Sequence, residues 1–170
     1  MEDQINAAML ILRVGVGGVI LAHGIKHARG RIKTSNWFGS LGFRQPQLQW
    51  FFSTATEIGV GVLLIAGALT SLAAAGLIGV MTVAFWTVHR FAGFWVTARP
   101  DEGWEYVFVL TVAAFALAIL GPGEISVDGA LDIVSTFNGW VGAALGVAGI
   151  ALAFVQMATF WRPSEAADAA

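Results

Sequence analysis

Five ionisable side chains, His23, Lys26, Glu57, His89 and Glu105, stand within or beside long apolar runs of this chain. Imidazole changes charge near neutral pH, and a neighbouring ammonium or carboxylate can bind or exchange protons with it. Such groups are expensive in hydrocarbon, so their presence points to a cavity, a proton path or a ligand site. The same set also reads as a polar network that locks helices together or snorkels to lipid head groups. His23, His89, Glu57 and Glu105 have donor chemistry for a transition metal, and the two histidines have it for haem. Nothing in the spacing specifies either, so no metal ligand is assigned. Trp86, Trp104 and Tyr106, together with Trp95, cluster near the same helix ends. They read as an interfacial aromatic belt, and their faces could also stack on a quinone ring.

The elements that must position these groups are membrane helices. Of 170 residues, 57% are hydrophobic and the mean hydropathy is +0.75, whereas a soluble domain is typically about 45–50% apolar. At about 20 residues per span, the apolar runs predict five spans, over 5–27, 47–69, 72–92, 104–120 and 139–161. The expected fold is an all-α integral membrane bundle: a four-helix domain over 1–138, an additional transmembrane helix over 139–161, and a short tail over 162–170. The acidic start Met1-Glu2-Asp3-Gln4 and the length of the first run predict a retained span rather than a signal peptide. The absence of cysteine excludes disulfide relays, Cys-bound zinc and iron–sulfur ligation. A formal charge of -2 gives no sign of a nucleic-acid partner.

Small residues suggest how the spans meet. Gly15, Gly18 and Ala22 form one stripe on the first span, and Gly142 and Gly146 another on the last. Between spans one and two, residues 28–46 read as a basic, aromatic loop, head-group-facing or re-entrant. Residues 124–138 read as an acidic surface segment. Five spans place Lys26, Arg29, Arg31, Lys33, Arg44, Arg90, Arg99 and Arg162 on one face, leaving only Arg13 elsewhere. By the positive-inside rule that face is cytoplasmic, with the N-terminus outside and the C-terminus inside a plasma membrane. Glu57 lies about nine residues, roughly 14 Å, from that face and Arg13 about fourteen residues, roughly 21 Å. An extended arginine covers the difference, so the sequence predicts an Arg13–Glu57 ion pair.

Several motifs occur together in order: Leu12-Arg13, then Ala22-His23-Gly24 with Lys26, then Glu57-Ile58-Gly59-Val60-Gly61-Val62-Leu63-Leu64. His89 follows, before Gly93-Phe94-Trp95, then Gly103-Trp104-Glu105, and Gly121-Pro122-Gly123 with Ser126 and Asp128. Over about residues 7–128 the chain resembles the DoxX family of small bacterial membrane proteins. The resemblance implies a four-helix membrane bundle, and kinship with a subunit of an archaeal thiosulfate:quinone oxidoreductase. It also implies association with membrane oxidoreductase assemblies and oxidative-stress defence. Two departures stand out. The lysine that the family carries four places after the histidine stands here at three, as Lys26, with His27 in the usual position. The helix over 139–161 is an addition.

Three functions follow as expectations. The first is a redox-associated subunit binding a quinone or comparable lipid-soluble molecule, with His23 and His89 exchanging protons, Arg13 and Glu57 tuning the cavity and Glu105 linking it to water. A chain without its own electron carrier would need a partner redox protein. The second is a scaffold that recruits proteins, or a further copy of itself, through the basic loop and the fifth helix. The third is a small proton-coupled transporter, supported only by Arg13 and Glu57. The sequence specifies neither a catalytic residue nor a resident cofactor.

Overall fold

The computed structural model describes residues 1–163. Its helices are α1 (Glu2–Arg29), α2 (Arg31–Ser40), α3 (Pro46–Ala66), α4 (Thr70–Thr87), α5 (Glu105–Leu120), α6 (Val127–Ala130) and α7 (Gly139–Phe160), with a single 3-10 turn at His89–Phe91. This is a helical membrane bundle. Helices α1, α3, α4 and α7 are long and apolar enough to cross a bilayer. Helix α5, at 16 residues, is about 24 Å long. Outward-facing Ile11, Val147 and Val155 remain exposed and present apolar surface to lipid. The final expected residues, 164–170, lie outside the described residues.

Helix α4 is the centre. Its Ala74, Leu77 and Ile78 are fully buried, together with Leu64 of α3 and Ala114, Leu117 and Ala118 of α5. It packs against α3, α5 and α7, while α1 pairs chiefly with α3. Helix α7 therefore lies on both α4 and α5. The approach is close because it is made through glycines: a Cβ at Gly142 would fall on the Ala118 carbonyl, one at Gly146 on the Phe115 ring, and one at Gly149 on the Ala75 carbonyl. Gly142→Ala should lower the unfolding free energy by about 1–3 kcal/mol through overpacking, measured by thermal unfolding in detergent. Gly15→Ala, whose added atom meets nothing within 4 Å, should not; equal stability of the two variants would contradict the packing.

The stripe on α1 differs from expectation. Gly15 and Gly18 have no neighbour within 4 Å of an added Cβ, whereas one on Gly17 would lie 2.9 Å from the Gly61 carbonyl and one on Gly24 would lie 2.9 Å from the Ile58 amide nitrogen. The buried face runs Arg13, Gly17, Ile20 and Gly24, steps of three and four that follow the helical period. Continued by one step, it arrives at His27.

The hairpin between α3 and α4 turns at Gly67, whose φ of 68° places it in the left-handed region, rather than at Thr70-Ser71. Two further segments differ from the sequence reading. The basic stretch after α1 is largely helical as α2, and Asp128, within the expected acidic surface segment, is only 5% exposed. Its Oδ1 accepts the Leu69 N–H at 2.8 Å and its Oδ2 the Thr70 N–H at 3.1 Å, while its own N–H donates to the Gly67 carbonyl. A residue from the α5–α7 connection thus caps α4, satisfying amides that the helix leaves unpaired.

At the other end of the bundle, α7 is tied to the α2–α3 corner. The Arg44 N–H donates to the Phe160 carbonyl, the Arg162 N–H to the Gly42 carbonyl, and the Trp161 indole to the Leu41 carbonyl. Gln156 of α7 donates to Gln49 of α3 at 2.8 Å. These bonds close the basic end of a space that α3, α4 and α7 leave between them.

Candidate functional site

That space is a cavity of about 1420 Å³, above the roughly 300–1,000 Å³ common for drug-sized ligands. Its walls follow helical periodicity. Helix α4 contributes Leu72, Gly76, Val80, Val83 and Thr87, and α7 contributes Leu145, Gly149, Leu152 and Gln156. These stripes extend along the helix axes for about 22 Å and 16 Å respectively. The wall is mainly apolar, and the chemistry is gathered toward the basic end.

Two acid–base pairs line it. In the first, Glu57 of α3 is 4% exposed and accepts the Ser53 hydroxyl at 3.1 Å. His27 Nδ1 lies 2.9 Å from Glu57 Oε2. The carboxylate sits off the ring's hydrogen-bonding direction, so the contact is a close approach rather than a formed hydrogen bond. The Trp50 indole donates to the His27 carbonyl at 2.8 Å, holding that end of α1 against α3. His23, one turn earlier, stands edge-on to His27 with ring centroids 6.5 Å apart. His23 and Lys26 both line the cavity and keep exposed surface.

The second pair is His89, in the turn after α4, and Tyr106, in the first turn of α5. The Tyr106 hydroxyl is 2.6 Å from His89 Nε2, and His89 Nδ1 is 2.6 Å from the Glu102 carbonyl. A carbonyl only accepts, so Nδ1 carries a proton. In the neutral ring Nε2 then accepts the Tyr106 O–H. The result is a tyrosine–imidazole pair whose tautomer is set by the backbone, with both side chains on the cavity wall.

The structure therefore brings together His23, Lys26, Glu57, His89 and Tyr106. It does not bring Arg13 to Glu57. The Arg13 side chain is completely buried, and its guanidinium donates to the carbonyls of Leu64 at 3.2 Å, Ile65 at 3.4 Å and Ile125. The C-terminal end of α3 offers carbonyls that no later turn of the helix claims, Leu64 accepting also from the Gly67 N–H, and the negative end of the helix dipole. Both terminal guanidinium nitrogens are therefore bonded, Nε alone lacking a partner, and Glu57 is left to His27. Glu105 also lies off the cavity: its carboxylate accepts the Val96 N–H at 3.0 Å and folds down the connector before α5. Trp86 falls beside the α4 stripe, packed on Phe154 and under Arg90 at 4.6 Å. Trp104 packs among Phe85, Phe94 and Phe108. Of the three aromatic candidates, only Tyr106 lines the cavity. Among the described residues no group of three or more His, Cys, Asp or Glu side chains is placed to hold a metal ion.

The residues that sequence reasoning missed are His27, Ser53, the Glu102 carbonyl and the Gln49–Gln156 bond. For His27 the signal was present, since 13, 17, 20, 24 and 27 form one helical stripe.

Residues 8–90 match the model of the DoxX family. An uncharacterized protein of Haemophilus influenzae is 25% identical over 144 residues, covering 80% of this chain and 91% of the relative. No solved structure matches the chain.

Proposed function

Since residues 8–90 belong to the DoxX family, we propose that this membrane protein is a redox-associated subunit that binds a quinone or a comparable lipid-soluble carbonyl compound. The observation that carries the reading is the convergence of the His27–Glu57 and His89–Tyr106 pairs on one long apolar cavity. A polar head has hydrogen-bonding groups at the basic end, and a hydrocarbon tail has the α4 and α7 stripes. A quinone, when bound, accepts electrons and protons together. The side chains supply the protonic part: Tyr106 holds a proton on its hydroxyl against His89 Nε2, and His27 holds positive charge against Glu57 when its ring is protonated. Electrons, in this reading, come from a partner redox protein. In this reading the protein lies in the plasma membrane with its basic end cytoplasmic.

The test is titration of the full chain in nanodiscs with a short-tailed quinone, followed by tryptophan fluorescence. Saturable binding is expected, weakened up to about tenfold by His89→Ala or Tyr106→Phe, the range for losing one hydrogen bond. No saturable binding, or variants that bind as tightly as the parent, would overturn it.

A scaffold reading draws on one observation: the α2–α3 corner and the end of α7 form a joined surface through the Phe43–Trp161 bridge. Recovery of the same partner proteins by a Trp161→Ala variant and by the parent would remove that support.

A further inference from the structure

We propose that the rim of the cavity between α1 and α2 holds the phosphate of an anionic phospholipid, whose acyl chain lies along α4 and α7. This goes beyond the quinone reading and does not rest on it; the acyl chain and a quinone tail would compete for the same stripes. Lys26 and Arg29, one turn apart at the end of α1, and Lys33, at the start of α2, all line the cavity. Among the described residues none of the three is in an ion pair. Their neighbour Arg31 is turned away, over the Trp50 ring at 5.1 Å.

The head group's charge follows from which acids are present. The cavity is lined by two carboxylate residues. Glu57 is already against His27, and Glu102 belongs to the α5 side, beside His89. At the α1–α2 rim there is thus a site for phosphate oxygens, which guanidinium and ammonium groups bind well. The carboxylates leave no matching site there for the cation of a zwitterionic head. The volume and the long apolar stripes call for an occupant larger than a head group alone. A free phosphate ion would satisfy the rim and leave the wall uncovered.

The experiment uses the full chain in neutral detergent, titrated separately with phosphatidylglycerol, phosphatidylcholine and inorganic phosphate, and read by native mass spectrometry. Phosphatidylglycerol should bind saturably, and the other two should bind at least tenfold more weakly. The triple variant Lys26→Gln, Arg29→Gln, Lys33→Gln should weaken phosphatidylglycerol about a hundredfold, the change expected of three basic residues beside an anionic head group. All three positions are exposed, so thermal unfolding without lipid should be unchanged and serves as the folding control. Ala84→Phe, which places a ring on the α4 wall, separates a lipid in the cavity from one on the outer surface. It should also weaken phosphatidylglycerol at least tenfold. Equal binding of phosphatidylcholine, binding of phosphate alone, or retention of phosphatidylglycerol by either variant would overturn the proposal.

Discussion

Replacing Arg13 with methionine should destabilise the bundle by about 3–5 kcal/mol, the scale for losing two or three hydrogen bonds made by a buried charged group. The side chain is fully buried and joins three segments, with carbonyl partners at Leu64 and Ile65 of α3 and at Ile125 before α6. Methionine fills much of the volume but leaves those carbonyls without their shared donor. It also leaves Asp128 without the cation that faces it across Gly67. Gly67 itself has no room for a side chain, because a Cβ would fall on the Arg13 guanidinium. Arg13→Lys should recover only part of the loss, since an ammonium cannot reproduce the planar fork. The check is chemical unfolding in mixed micelles, with Asp128→Asn added to both backgrounds. Asp128→Asn should be markedly less harmful in the methionine variant than in the parent, because the two positions act in one network. A stable Arg13→Met protein, or strictly additive effects, would refute the account.

The second large effect is expected at Gly24. Its Cβ would lie 2.8 Å from Ile58 Cγ1, 2.9 Å from the Ile58 nitrogen and 3.0 Å from Glu57 Cβ. Two of these contacts involve backbone or a Cβ, which cannot swing aside, so Gly24→Leu must move α1 off α3. The expected loss is about 1–3 kcal/mol or more from overpacking. The local consequence is specific: His27, one turn on, separates from Glu57. Mass spectrometry after diethyl pyrocarbonate treatment should show His27 modified several-fold faster, by an order-of-magnitude argument from its loss of cover. Gly18→Leu is the control, because a Cβ there meets nothing within 4 Å. Identical His27 labelling in the two variants would show that the glycine contact does not set the pair.

The long helices were legible because an apolar run of membrane length has few alternatives. Their ends agree to within three residues except for the third span, expected to reach 92, which stops at Thr87 before the turn that carries His89, and the basic end follows from the positions of Lys and Arg. Pairing was harder. Depth along neighbouring spans and side-chain charge alone pair Arg13 with Glu57, whereas the carbonyls at the end of α3 appear in no residue-type pattern. Asp128 was read as a surface acid because it lies in a stretch without periodicity, and only the fold returns that stretch to Gly67. Counting residues puts Glu105, Trp86 and Trp104 near the basic end but does not say which way they face, and none of the three lines the cavity. Depth follows from counting residues, whereas the facing direction depends on which neighbours each helix acquires. His27 was the readable exception, in step with Arg13, Gly17, Ile20 and Gly24.

The partners of Arg13 lie 51, 52 and 112 residues further along the chain. During synthesis α1 is made before its partners, so its guanidinium meets the bilayer before any of those carbonyls exists. Insertion scales put an arginine at a helix centre at about 2.5–3.5 kcal/mol, a burden that α3 relieves in part and that is fully lifted only when residue 125 has been translated and folded back. A ribosome-stalled chain ending before that point should hold α1 less firmly than one stalled after α6, measured by alkaline extraction from membranes. Equal retention would mean that α1 is settled by α3 alone; otherwise a helix made before its partners is among the last to become fixed.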